Sequence, residues 1–131
     1  MRRHVLALDL KDDPALIAGY EAHHAAVWPE VEARIREAGV LSCAIYRAGA
    51  RLVMVLEVVD GFSFEAKAAG DAAHEPTQRW EELMARYQQP LPVAAPGHKW
   101  TQMACVYELG SGGGGGGSCA ADACVRWVTG L

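Results

Sequence analysis

Apolar and polar positions along this chain fall into short strand-like runs separated by helical patterns. Residues 4–10 carry Val5, Leu6 and Leu8 and predict a first strand. Asp12-Asp13-Pro14 follows; an acidic residue before a proline is a helix start, because proline is tolerated in the first turn. From residue 14 to about 38, side chains recur with helical spacing at Leu16, Ile17, Tyr20, His24, Val27, Trp28, Val31 and Ile35. Trp28-Pro29 interrupts that pattern and predicts a kink or a break into two helices. Gly39 is a natural stop.

Residues 40–47 and 51–59 read as two strands joined by Ala48-Gly49-Ala50, a hairpin with a short glycine-bearing loop. Asp60-Gly61 is a turn. Residues 62–69 are alanine-rich and helical, and Pro76 opens a further helix through Trp80, Leu83, Met84 and Tyr87. Residues 88–98 hold three prolines and predict an extended loop. Residues 99–109 read as a last strand through Trp100, Met103, Cys105, Val106 and Tyr107. The order strand, helix, strand, strand, helices, strand is the split βαβ pattern of an α+β, ferredoxin-like fold. It gives a four-stranded antiparallel sheet with helices on one face. Leu52-Val53-Met54-Val55-Leu56 is apolar without alternation, as in a strand covered on both sides. Helices cover one face only, so a homodimer across the other completes the expectation, a dimeric α+β barrel.

The chain has 131 residues, 51% hydrophobic and 21% charged, which fits one globular domain with a core of its own. A net charge of −4 argues against a nucleic-acid binder, which carries a basic patch. No apolar run approaches the ~20 residues of a membrane span, and no leader pattern opens the chain. The expected location is the cytoplasm. There the default for Cys43, Cys105, Cys119 and Cys124 is the reduced thiol, with Cys43 and Cys105 as small core residues. Six consecutive glycines within residues 110–118 are a flexible linker by composition. The expected organisation is a domain over residues 1–109 and a linker and tail, disordered or left by cloning, over residues 110–131.

Tyr20, His24 and Trp28 are four apart, so a helix stacks a phenol, an imidazole and an indole on one face. Imidazole both gives and takes a proton near neutral pH. The aromatic neighbours supply apolar walls and hydrogen bonds. The face reads either as a core stripe or as a small acid–base site. His23 falls on another side of the helix and reads as solvated, and adjacent histidines lack metal-ligand spacing. Trp80 is either core or pocket wall, and Glu81 belongs to a solvated face. Tyr46 points into the sheet face or sits at a hydrogen-bonded edge. Glu57 needs a partner if buried, with Arg51 or Lys99 as candidates. No phosphate loop, dinucleotide fingerprint or zincin motif is present, so neither cofactor nor metal is implied.

With Tyr20, His24, Trp28-Pro29-Glu30, Ala44-Ile45-Tyr46 and Gln78-Arg79-Trp80 in view, the chain resembles the L-rhamnose mutarotase family from about residue 3 to residue 109. The resemblance implies a dimeric ferredoxin-like enzyme that interconverts the anomers of a 6-deoxy-hexose without metal or cofactor. It places the family's proton-donating histidine on His24, a sugar-binding tyrosine on Tyr20 and the first of two pocket tryptophans on Trp80. Trp28, Glu81 and Tyr46 complete the expected sugar-binding set. The second tryptophan is Glu81 here, and a pocket tyrosine is Cys43. The stretch from Tyr87 to Trp100 looks like the branch of the family assigned to L-fucose. Opening a hemiacetal needs a base for the anomeric hydroxyl and an acid for the ring oxygen, and imidazole suits both. The second proton carrier is water or Glu81. Two other readings share the fold. One is a non-catalytic dimeric binding domain in which His24 only packs. The other is a cofactor-free monooxygenase-like barrel.

Overall fold

The computed structural model describes residues 1–110. Its elements are β1 (Arg2–Leu10), α1 (Pro14–His24), α2 (Pro29–Glu37), β2 (Val40–Ala48), β3 (Arg51–Val58), α3 (Phe64–Ala72), α4 (Glu75–Ala85), β4 (Gln88–Gln89) and β5 (Thr101–Gln102). The sheet runs β2-β3-β1-β4, with β5 also on β1. All pairings are antiparallel. This is the split βαβ, ferredoxin-like order expected for an α+β chain. No helix among the described residues is long and apolar enough to cross a membrane.

Local chemistry sets the helix boundaries. The Asp13 carboxylate accepts from the backbone N–H of Ala15 at 2.8 Å and of Leu16 at 3.2 Å, capping α1 one residue before Pro14. The helical pattern does break at Trp28-Pro29, because Pro29 cannot continue α1 but suits the first turn of α2. Gly39 ends α2 with φ +101°, a conformation that favours glycine. Ser63 caps α3, and the His74 ring caps α4 by accepting from the Thr77 N–H at 3.3 Å.

The edge beside β1 departs from expectation. Gln88 and Gln89 lie opposite Leu10 and Asp9, while Thr101 and Gln102 lie opposite Ala7 and Leu6. The fourth strand is therefore one edge interrupted by residues 90–100. Pro90, Pro92 and Pro96 lack the N–H a ladder needs, and the buried Trp100 ties the excursion back to the core. The continuous strand over residues 99–109 is corrected to two residues, extended by the Met103 N–H donating to the Val5 carbonyl at 2.7 Å. Beyond it Val106, Tyr107 and Leu109 are exposed. Cys105 is exposed, so it is not a core residue. Cys43 is free and exposed rather than core. The expected linker and tail from residue 111 onward also lie outside the described residues.

The apolar run of β3 does alternate in burial. Leu52, Met54, Leu56 and Val58 are at most 1% exposed, whereas Val53, Val55 and Glu57 are half-buried. The buried set joins Leu6, Leu8 and Leu10 of β1 with Tyr20, Val31, Trp80 and Met84 from the helices in one core. Each such side chain contributes about 1.5–3 kcal/mol of burial, enough to fix which face the helices cover. Register then assigns β2 residue by residue: Cys43 and Ile45 pair with Leu56 and Met54 on the helix side. Ser42, Ala44 and Tyr46 pair with Glu57, Val55 and Val53 on the other.

A buried charge cluster joins α2 to α3. Lys67 Nζ donates to Asp71 Oδ2 at 2.6 Å and Arg34 Nε donates to Asp71 Oδ1 at 3.1 Å, with both Lys67 and Asp71 side chains 1% exposed. The Arg34 guanidinium lies over Gly70, where a Cβ would collide with Nη2.

Candidate active site

His24 occupies the last turn of α1, and its surroundings fix its tautomer. Nδ1 lies 3.0 Å from the Tyr20 carbonyl oxygen. That oxygen only accepts, so Nδ1 carries the proton and Nε2 is left with its lone pair. The Tyr20 ring lies 4.2 Å from the imidazole centroid and nearly parallel to it. Trp80 of α4 meets the imidazole edge-on at 5.5 Å and meets Trp28 at 5.2 Å. Trp80 is 1% exposed and so forms a fixed aromatic platform beneath both.

Electrostatics follow from burial. Burial pulls His24 below its ordinary value; the Tyr20 carbonyl resists, and His23 adds to the fall. The imidazole is thus neutral at pH 7, with Nε2 a base. Burial pushes the Tyr20 phenol far above its ordinary range, the Gln88 side chain working against it. Tyr20 stays a phenol at any physiological pH.

A cavity of about 370 Å³ opens beside this cluster, between the α1–α2 corner and β2. The size suits a small ligand. His24 and Trp80 line it together with Val27, Ile35, Val40, Leu41, Cys43 and Ile45, and with Glu32, Arg36 and Ser42. Cys43 opens into the cavity, and the walls desolvate its thiolate enough to push the thiol up to about 11, with Lys67 pulling slightly down. Among the described residues no group of His, Cys, Asp and Glu is placed to hold a metal.

The predicted residues divide clearly. His24 and Trp80 share the cavity wall. Tyr20 and Trp28 stand behind them, in ring contact with His24 and Trp80 respectively. Glu81 is not on the cavity wall: its carboxylate accepts from Gln78 Nε2 at 3.2 Å, and its backbone carbonyl accepts from Lys99 Nζ at 3.2 Å. Tyr46 lies on the opposite face of the sheet, 64% exposed, because register places it against Val53. His23 is not a solvated bystander. It is half-buried and hydrogen-bonded through Nε2 to the Tyr87 hydroxyl at 3.1 Å. Glu57 finds Ser42, whose Oγ donates at 2.9 Å, instead of Arg51 or Lys99. Val27 and Ile35 reach the wall as members of the helical apolar pattern, while Ile45, Glu32 and Arg36 join it outside the expected site set. The signal for Ile45 was strand parity, since the residue beside an outward Tyr46 must face the helices.

A family model described as L-rhamnose mutarotase matches residues 3–109. The chain is 46% identical over 111 residues to an L-fucose mutarotase of Xanthomonas campestris pv. campestris, covering 83% of this chain and 89% of the relative. It is 31% identical over 98 residues to an L-rhamnose mutarotase of Acidiphilium cryptum, covering 70% and 86%. The crystal structure of L-rhamnose mutarotase FA22100 from Formosa agariphila shares the fold, with TM-score 0.59 and 17% identity over 83% of this chain and 99% of that one. An imidazole with a free nitrogen on a sugar-sized cavity is thus carried by a chain that belongs to the L-rhamnose mutarotase family.

Proposed function

We propose that this protein is a mutarotase for a 6-deoxy-hexose, L-fucose ahead of L-rhamnose, with His24 as the acid–base group. The single observation that carries the mechanism is the 3.0 Å bond from Nδ1 to the Tyr20 carbonyl, which leaves Nε2 basic on the cavity wall. Nε2 takes the proton from the anomeric hydroxyl. As the C1–O1 bond becomes a carbonyl, the C1–ring-oxygen bond breaks. The imidazolium returns that proton through one water to the departing ring oxygen, giving the open-chain aldehyde. Rotation about C1–C2 presents the other carbonyl face, and the same steps in reverse close the ring. Water takes the second-carrier role because Glu81 lies away from the cavity wall. Tyr20 holds the imidazole through ring contact and its carbonyl, and Trp80, backed by Trp28, walls the sugar. A positioned acid–base group of this kind gives about 10²–10⁴-fold. The preference for L-fucose rests on the 46% relative.

The sheet face without helices carries Val5, Val53 and Val55 beside the exposed Tyr46, and we assign it to a homodimer contact. Sedimentation of Val55→Lys as a monomer against a dimeric parent is the expected result.

Exchange NMR with L-fucose, L-rhamnose and D-glucose tests the activity through magnetisation transfer between α and β anomeric protons. Faster exchange with a deoxy-sugar, lost in His24→Ala, is expected. Exchange equal to buffer for all three sugars sinks the proposal and leaves a binding domain or a different enzyme of the same fold.

A further inference from the structure

The cavity is graded. Its outer lip carries Glu32 and Arg36, both exposed and one helical turn apart on α2. Farther in, Val27, Ile35 and Ile45 are half-buried. Val27 follows His24 by three residues, and Ile45 is held on the helix side of the sheet by its pairing with Met54. The imidazole and this apolar wall therefore line one and the same cavity.

Sugar geometry gives that juxtaposition a meaning. In a pyranose the ring oxygen is bonded to both C1 and C5. A group that serves C1 and the ring oxygen has the C5 substituent within two bonds of its target. That substituent is a methyl in a 6-deoxy-hexose and a hydroxymethyl in an ordinary hexose. We infer that Val27, Ile35 and Ile45 form a specificity wall that seats the C5 methyl and rejects a C6 hydroxyl, while the ring hydroxyls face the Glu32–Arg36 lip. The inference rests on the mutarotase reading and adds the group by which the substrate is chosen. A hydroxyl pressed on this wall loses its water and gains no partner. An apolar pocket rejects an added hydroxyl by a factor on the order of 10² at most, so the wall grades substrates instead of excluding them.

L-Fucose and L-galactose differ only at C6 and are the probes. Exchange NMR on the full chain yields the ratio of their catalysed rates at equal subsaturating concentration. The parent is expected to favour L-fucose by about 10- to 100-fold. Ile45→Thr keeps β-branching in a strand and offers a hydroxyl partner; it is expected to lower that ratio by about tenfold while L-fucose exchange persists. Val27→Thr, a second variant of nearly the same shape, tests the same wall should the first fold poorly. A parent ratio near one, or a ratio unmoved in a folded variant, overturns the inference and leaves the wall as ordinary core. Absence of catalysed exchange with either sugar in the parent is a different result, and overturns the mutarotase reading together with the inference.

Discussion

His24 turns its Nδ1 onto the carbonyl oxygen of Tyr20, 3.0 Å away and one helical turn earlier. The same tyrosine stacks its ring 4.2 Å from the imidazole. One residue thus sets both the tautomer and the tilt of the proposed catalytic group. The backbone part of this support survives any substitution of Tyr20, while the ring part does not.

The pH profile follows from burial. His24 lies below its ordinary value of 6.5, so it is already neutral at pH 7. The catalysed exchange, corrected for the buffer rate, is expected to be level from about pH 7 upward. It should fall on the acid side below about 6.5 as the imidazole takes a proton. Tyr20 is raised, so it adds no alkaline limb near its ordinary pH of 10. The sign for stability agrees: the unfolded chain binds the proton first as pH falls through 6.5, so folding weakens toward acid. Urea midpoints between pH 7.5 and 5.5 should drop less in His24→Gln than in the parent. An acid limb lying above pH 7 would contradict the neutral imidazole.

Asp71 holds two cations at once, Lys67 at 2.6 Å and Arg34 at 3.1 Å. Its removal leaves a lysine that is 1% exposed without its carboxylate. Asp71→Asn should therefore cost about 3–5 kcal/mol, read as a fall in the urea or thermal midpoint. Replacing the pair together, as Lys67→Met with Asp71→Leu, removes both charges and should cost far less than the single change. Equal losses in the single and double variants would show that volume, not charge, matters there.

Gly70 tests the same cluster from the side of space. A methyl there would collide with Arg34 Nη2, and that guanidinium is pinned by Asp71 and by Glu37, whose Oε1 accepts from Nη1 at 2.8 Å. Alanine in mid-helix otherwise gains about 1 kcal/mol over glycine. Gly70→Ala is expected to destabilise the parent by about 1–3 kcal/mol through overpacking. In an Arg34→Ala background the same change should be neutral or stabilising, a double-mutant coupling readable by denaturant titration.

Sequence alone reveals what depends on local chemistry. The Asp13-Pro14 start, the Trp28-Pro29 break and the stop at Gly39 are each decided within a few residues, and each stands where expected. The clustering of Tyr20, His24 and Trp80 follows from helical spacing on α1 and from the packing of α4 against it. Tyr46 and Glu81 have suitable chemistry but stand off the wall that His24 and Trp80 share. A one-residue step along β2 separates Tyr46 from Ile45 and places them on opposite faces. The short β4 fell in the expected loop and β5 was expected longer than it is, because their partner, β1, is about 80 to 95 residues away in sequence, a distance no local pattern spans. Lys67 and Asp71 look like a solvated helix pair until Arg34 arrives from α2.

Cys43 is open to labelling yet expected to be slow. Burial of its thiolate pushes the thiol up to about 11, only partly offset by Lys67. The thiolate is the reactive form. At pH 8 the thiolate fraction is therefore about two-hundredfold below that of an ordinary cysteine with a value near 8.5. Iodoacetamide should modify Cys43 far more slowly than a free thiol at pH 8, with a rate still climbing tenfold per pH unit to pH 10. Because Cys43 lines the same cavity as His24 and Trp80, saturating L-fucose should slow it further without changing that slope. Mass spectrometry of the Cys43 peptide reads the rate site by site. Protection by L-fucose, and none by D-glucose, would tie the cavity to the sugar independently of any measurement of turnover. Labelling as fast as a free thiol would mean that the thiolate is solvated and that the cavity is more open than its walls imply.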